Sequence, residues 1–253
     1  AGPSTDEAWS FLVPSQPGHG GSPSHSVEDY WWYVARSDLL RTALARYAVN
    51  AAVALDLGSA DGPSAGWIPH VADHVVSLDI DPRGLSTTGI CGSAMALPFA
   101  DETFDLVSAF DVIEHCEPEA TALAEVARVL RPGGSFLMAV PAYRWAWSDH
   151  DVANGHHRRY TRARAAQAVG AAGLTIDRVT HGFATVFPFF AAERLVRRLR
   201  RGRTEAQDIA EIPQVPLLLN SALTRLSRLD SKVLARADLP FGSSVFLAAH
   251  KPS

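Results

Sequence analysis

The densest supply of proton-transfer groups in the chain is "SDHDVANGHHRRY", Ser148 to Tyr160. Three histidines and two aspartates fall within nine residues: Asp149, His150, Asp151, His156 and His157. Imidazoles change charge near neutral pH, so His150, His156 and His157 can take a proton from a substrate, and Asp151 and Tyr160 are further candidate bases. His115, in "VIEH", stands apart in sequence and reads either as a catalytic group or as a ring shaping a pocket floor. A metal site is not expected, because these histidines have no Cys partner and no H-E-x-x-H spacing.

A second stretch, "VALDLGSADGPSAG", opens as a buried strand and closes in small residues. Gly58, Ala60 and Gly62 give a G-x-A-x-G spacing, one position shorter than a dinucleotide fingerprint. Asp56, two residues before the turn, repels a phosphate and suits a cationic or hydroxyl-bearing ligand. A tight strand-to-helix turn would also need these glycines. About twenty residues on, "VVSLDIDP" ends a strand at Asp79, where a carboxylate can accept from ribose hydroxyls or simply cap the strand end.

These groups need a scaffold. Strand-like runs at 53–57, 75–80, 88–92, 105–110 and 135–141 alternate with helical segments, of which "PEATALAEVARVLRPGG" is the clearest. Such alternation predicts an α/β fold with a parallel, doubly wound sheet that binds its ligand beyond the carboxyl ends of the strands. A helix at 162–172, a strand near 174–180, a helix at 217–236 and a last strand in "SSVFLAAH" complete the pattern. Residues 1–26, rich in Gly, Pro, Ser and His, read as a flexible tail. Residues 27–50 form an amphipathic cap helix at the start of a single domain, 27–253.

At 253 residues with a net charge of -4, the chain gives no global reason to expect nucleic acid. Two cysteines, Cys91 and Cys116, match no disulfide or metal framework, so a cytoplasmic setting is expected. No apolar run approaches the roughly 20 residues that span a bilayer.

Five segments, taken in order, resemble the motifs of class I S-adenosylmethionine-dependent methyltransferases of the small-molecule and lipid branch: "DLGSADG", "LDIDP", "ALPFADETFDLV", "DVIEH" and "EVARVLRPGGSFLMAVP". The terminal "PFGSSVFLAAHKP" is similar to that family's last strand. The resemblance implies a Rossmann-like seven-stranded sheet with an antiparallel last strand. It implies S-adenosylmethionine (SAM) as cofactor and S-adenosylhomocysteine as product. Asp56, Gly58, Ser59, Ala60 and Gly62 would hold the methionine part. Asp79 would take the ribose, and Ile80 would pack on the adenine. Ser93, Ala94 and Met95 would run along the adenine edge, and Phe110 and Asp111 would line the sulfonium. Arg36, in "YWWYVARS", would pair with the cofactor carboxylate. Two departures stand out: Ala60 replaces the middle glycine, and Ser93 stands where the family commonly has Asp.

Methyl transfer needs an aligned nucleophile and, for a hydroxyl, a base. The segment 183–237 reads as a helical insertion before the last strand, capping the substrate pocket. Its stretch 183–203 holds six arginines, of which Arg194, Arg197, Arg198 and Arg201 lie opposite Ala192, Leu195, Val196 and Leu199, which fits a pocket lid or, alternatively, a helix lying on a membrane or meeting a lipid-linked substrate. The aromatic residues Tyr143, Trp145 and Trp147 and the phenylalanines at 183–190 predict a largely apolar acceptor, natural-product or lipid-like, methylated at O, N or C. The rival readings are a nicotinamide oxidoreductase, disfavoured by the glycine spacing, and a SAM-fold protein with non-methyl chemistry or none.

Overall fold

The periodicity of "WWYVARSDLLRTAL" makes helix α1, Trp31–Leu44, whose Leu39, Leu40, Ala43 and Leu44 are buried together at i, i+1, i+4 and i+5. This computed structural model describes residues 30–48, 51–59, 65–199 and 215–253. The expected tail at 1–26, Ala60, Gly62 and residues 200–214 of the insertion lie outside the described residues.

Seven strands follow: β1 Ala51–Leu57, β2 Ala72–Asp79, β3 Ile90–Cys91, β4 Phe104–Phe110, β5 Leu130–Pro141, β6 Thr175–Gly182 and β7 Ser244–His250. They form one sheet in the order β3-β2-β1-β4-β5-β7-β6. All described pairings are parallel except those of β7, which runs antiparallel to both β5 and β6. The strand order reverses between β1 and β4, so their carboxyl ends flank the crevice where a doubly wound sheet binds its ligand.

Side-chain alternation along the central strands builds two cores. Leu55, Leu57, Val107, Ala109, Phe136 and Met138 face helices α2 (Glu119–Val129) and α4 (Arg162–Ala171). Leu106, Phe110, Leu137 and Ala139 face α1 on the other side. Each fully buried Leu or Phe contributes about 1.5–3 kcal/mol, so both layers are strongly fixed to the sheet.

The "ARVLRPGG" segment departs from expectation. Its helix ends at Val129, and β5 begins at Leu130, earlier than the pattern suggests, with a register shift against β4 between Phe104 and Leu106. Pro132 and Gly133 thus sit inside an irregular strand start, where a bulge relieves the missing amide donor. Conversely, β3 shrinks to two residues.

Behind the sheet's carboxyl edge, α5 (Phe187–Leu199) and α6 (Leu217–Leu234) come from the insertion. α6 is sewn to α1: Ser231 Oγ donates to Asp38 Oδ2 at 2.7 Å, and Trp31 N donates to Asn220 Oδ1 at 2.8 Å. The buried Arg178 of β6 donates to Ala43 O, Leu234 O and Ala237 O, satisfying carbonyls at the ends of both helices.

Candidate active site

The strand tips carry the polar groups. Gly58 turns the chain out of β1 with φ +73°, and a Cβ there would lie 2.4 Å from Val112 Cγ2. Backbone and side chain therefore approach as only glycine permits. Asp56 is buried beside it and accepts from Ser108 Oγ at 2.7 Å, its register partner on β4. Burial, opposed by the Ser108 bond and helped by the nearby Asp79 carboxylate, pushes Asp56 up to about 7. Ser59 Oγ is buried with no hydrogen-bond partner among the described residues. Such an orphan is what a polar ligand would satisfy.

At the next tip, Asp79 accepts from Asp81 N at 2.8 Å, and the neighbouring Ile80 is 73% exposed. Asp79 pairs in register with Cys91 of β3, which brings the following turn alongside; there Ser93 Oγ accepts from Met95 N at 3.1 Å, with Ala94 between them. An apolar platform at Ile80, a carboxylate before it and an unpaired hydroxyl at Ser59 fit a nucleoside joined to an amino acid.

Past β4, Asp111 adopts φ +58° and anchors its amide on Ala139 O at 2.9 Å. The sequence reading gives Arg36 to a ligand carboxylate; the structure gives it to Asp111. Arg36 Nη2 lies 2.5 Å from Asp111 Oδ2, and Nη1 reaches Ser244 Oγ at 3.4 Å. The guanidinium also sits 5.0 Å over the Trp32 ring, so α1 closes directly onto this tip. Phe110 is buried against Trp67, the rings 6.2 Å apart at 29°.

The histidine loop docks on the turn Ile113–His115. His157 N donates to Glu114 O at 2.8 Å, and the His115 and His156 rings meet edge to face at 4.6 Å. His156 Nδ1 lies 2.9 Å from Asp151 Oδ1, and Arg159 grips both oxygens of Asp151 at 2.7 and 3.0 Å. Ser148 adds a capping box at the start of the short helix α3, Asp149–Ala153. Burial raises the Asp151 carboxyl, but the bonds from His156 and Arg159 and the Arg159 charge together outweigh it and hold the group well below the usual carboxylate range. Burial and the neighbouring His156 push His115 down to about 4, so its ring is neutral at physiological pH. His150 and His157 are exposed at the rim.

Two sequence candidates change role. Asp151 is fully buried and already bound to His156 and Arg159, so it orients an imidazole and is not itself a free base. Tyr160 is buried in the core, its hydroxyl donating to Glu119 Oε2 at 2.5 Å. Burial and that carboxylate raise the phenol, so Tyr160 is structural; its type and place in the motif gave no sign of the inward rotation.

The structure also adds residues that the sequence did not single out. Glu114 is fully buried, and burial together with Asp111 raises its carboxyl well above the usual range. Its position beside His115 was the available signal. His181, at the end of β6, stacks on Tyr143 at 5.3 Å and lies 3.3 Å from the Tyr143 hydroxyl, while its Nδ1 is 3.3 Å from Ser244 O. With Trp145, Phe187 and Phe241 they form an aromatic wall joining the loop after β5 to α5.

This sheet order, with an antiparallel seventh strand and acidic tips at β1 and β2, defines a class I methyltransferase fold. Residues 55–138 match the family described as "Methyltransferase domain". A Mycolicibacterium smegmatis protein named "Probable S-adenosylmethionine-dependent methyltransferase" is 30% identical over 166 residues, covering 61% of this chain and 63% of that protein. This chain therefore spans less than two thirds of that relative. Among solved structures, phosphoethanolamine N-methyltransferase 2 of Haemonchus contortus aligns with TM-score 0.56 and 17% identity, over 96% of this chain and 60% of that one. The cyclase SpnF aligns with TM-score 0.53 and 19% identity, over 95% of this chain and 88% of that one. Residues 55–138 thus match a methyltransferase-domain family within a fold of the class I methyltransferase type.

Proposed function

We propose that this protein transfers the methyl group of SAM to an O, N or C atom of a small, largely apolar acceptor. The observation that carries this reading is the convergence of Asp56, the Gly58 turn, the orphan Ser59 hydroxyl and Asp79 with exposed Ile80 on one edge of the sheet. SAM supplies an electrophilic methyl group on a sulfonium. Asp56 faces the ammonium end, Asp79 the ribose, and Ile80, Ser93, Ala94 and Met95 the adenine. Phe110 and Asp111 lie toward the sulfonium. Arg36 would meet the cofactor carboxylate only by sharing itself with Asp111.

The acceptor lies between the aromatic wall and the histidine cluster. His115, His156 and His157 are the groups placed to receive its proton, and Asp151 fixes His156 for that task. The described part of the insertion 183–237 covers the acceptor side through Phe187, which packs on Phe241 just beyond it. No helix among the described residues is long and apolar enough to cross a membrane. Incubating the full chain with methyl-labelled SAM and a panel of apolar phenols, amines and carbon acids tests the proposal. Label transfer to one class supports it, and no transfer to any acceptor alongside tight SAM binding would favour the second reading. That reading, a SAM-fold protein with non-methyl chemistry, has the likeness to SpnF on its side.

A further inference from the structure

Glu114 is fully buried; Asp111 shares a side-chain hydrogen bond with its carboxyl and the Arg36 charge lies nearby, yet neither oxygen meets a partner with full hydrogen-bond geometry among the described residues. A buried carboxyl of this kind is held in its neutral form and gives up its proton where a cation compensates the charge. Two imidazoles stand beside it. His115 is its neighbour in the chain, and His156 is delivered by the loop after α3; one ligand atom from each of the three lies within 4.8 Å of the others. His156 Nδ1 faces Asp151 at 2.9 Å, which leaves Nε2 for the cluster. Asp151 is in turn held by Arg159 and by Ser148 N at 2.8 Å. This carboxylate–imidazole support is the arrangement that orients metal-ligating histidines and fixes their tautomer.

We propose that Glu114, His115 and His156 bind one divalent transition-metal cation at the acceptor side of the site. Two imidazoles and one carboxylate select the Zn2+, Co2+ and Mn2+ class over Mg2+ and Ca2+, which prefer oxygen donors throughout. Metal–ligand bonds of about 2.0–2.2 Å draw the three atoms closer together. Three protein ligands leave a coordination position open for an acceptor oxygen. The spacing rules that argue against a metal at His150 and His156–His157 do not apply, because the ligands come from two loops distant in sequence.

The inference rests on the methyltransferase reading for its purpose, and it reassigns His115 and His156 from bases to ligands. A hydroxyl bound to the cation gives up its proton to His157 or to solvent at neutral pH. The oxygen then bonds to the methyl carbon while the carbon–sulfur bond breaks, its electron pair staying on sulfur.

The test is titration of the chelator-treated full chain with Co2+, followed by visible absorption and calorimetry. One Co2+ per chain is expected, with affinity reduced at least tenfold in both Glu114→Gln and His115→Ala. Asp151→Asn, which weakens the support of His156 along with the Arg159 and Ser148 contacts, should cost roughly 10–100-fold. Circular dichroism confirms that each variant is folded, and His115→Ala stands in should Glu114→Gln fail to fold. Absence of stoichiometric uptake by the wild type, or unchanged affinity in the folded ligand variants, overturns the metal site. SAM titrated separately distinguishes the two claims: SAM binding without Co2+ uptake sinks only the metal.

Discussion

Arg36 of α1 and Asp111 at the tip of β4 form an ion pair of 2.5 Å, with Arg36 fully buried. The first described helix is thereby fastened to the strand end that lines the proposed methyl-transfer position, and cofactor access and α1 docking become linked.

Asp111→Asn leaves the buried guanidinium without its charge partner. The expected loss is on the order of 3 kcal/mol, since breaking a buried pair strands the remaining ion. Urea unfolding of the wild type and the variant measures it. A loss within the scatter of surface substitutions would show that Ser244 and Trp32 suffice to hold Arg36.

Asp56 makes SAM binding depend on pH. Its folded value of about 7 lies above the ordinary 3.8, so between those values the folded chain holds a proton that the unfolded chain has lost. Its contribution to stability is therefore full below about 4, declines as pH rises through about 7 and is flat above. An ammonium ligand needs the ionised form, so SAM affinity should weaken as pH falls through about 7, with proton release on binding. Calorimetry in two buffers of different ionisation enthalpy detects that proton, and Asp56→Asn should abolish the dependence.

His157 and Tyr160, close in sequence, should respond differently. His157→Ala is expected to lower kcat about 10²-fold or more while leaving SAM affinity near wild type. Tyr160→Phe should leave turnover largely intact and cost about 1–3 kcal/mol of stability, because Glu119 loses a buried donor. Steady-state kinetics with thermal unfolding separates the two; loss of kcat in a stable Tyr160→Phe protein would restore Tyr160 as a base.

Exposed Phe189, Leu195 and Val196 on α5 suit a lid over an apolar acceptor as well as a membrane face. The lid reading predicts no co-sedimentation with anionic vesicles at physiological salt. Salt-sensitive pelleting with such vesicles would show that α5 meets lipid.

Much of this fold was legible in the sequence because its signals are local. Alternating apolar residues fixed β1, β4 and α2, and the Gly58 turn marked the first strand tip. Boundaries slipped where long-range pairing overrode local pattern: β5 starts at Leu130 because β4 offers it a bulged partner, not because "LRPGG" resembles a strand. Side-chain direction was the hidden variable in the site. Nothing in "GHHRRYT" shows that Tyr160 turns inward to Glu119, or that Asp151 serves His156 across a turn. Glu114 acquires its meaning only when the loop of residues 155–157, far along the chain, folds onto it.

Titrating SAM into the wild-type chain and into Asp79→Ala shows whether the carboxyl edge of this sheet is a SAM site. A single site is expected in the wild type and at least tenfold weaker binding in the variant, since a hydrogen bond to a charged group contributes about 1.5–3 kcal/mol. No binding to the wild type, or equal affinity for both proteins, would contradict it.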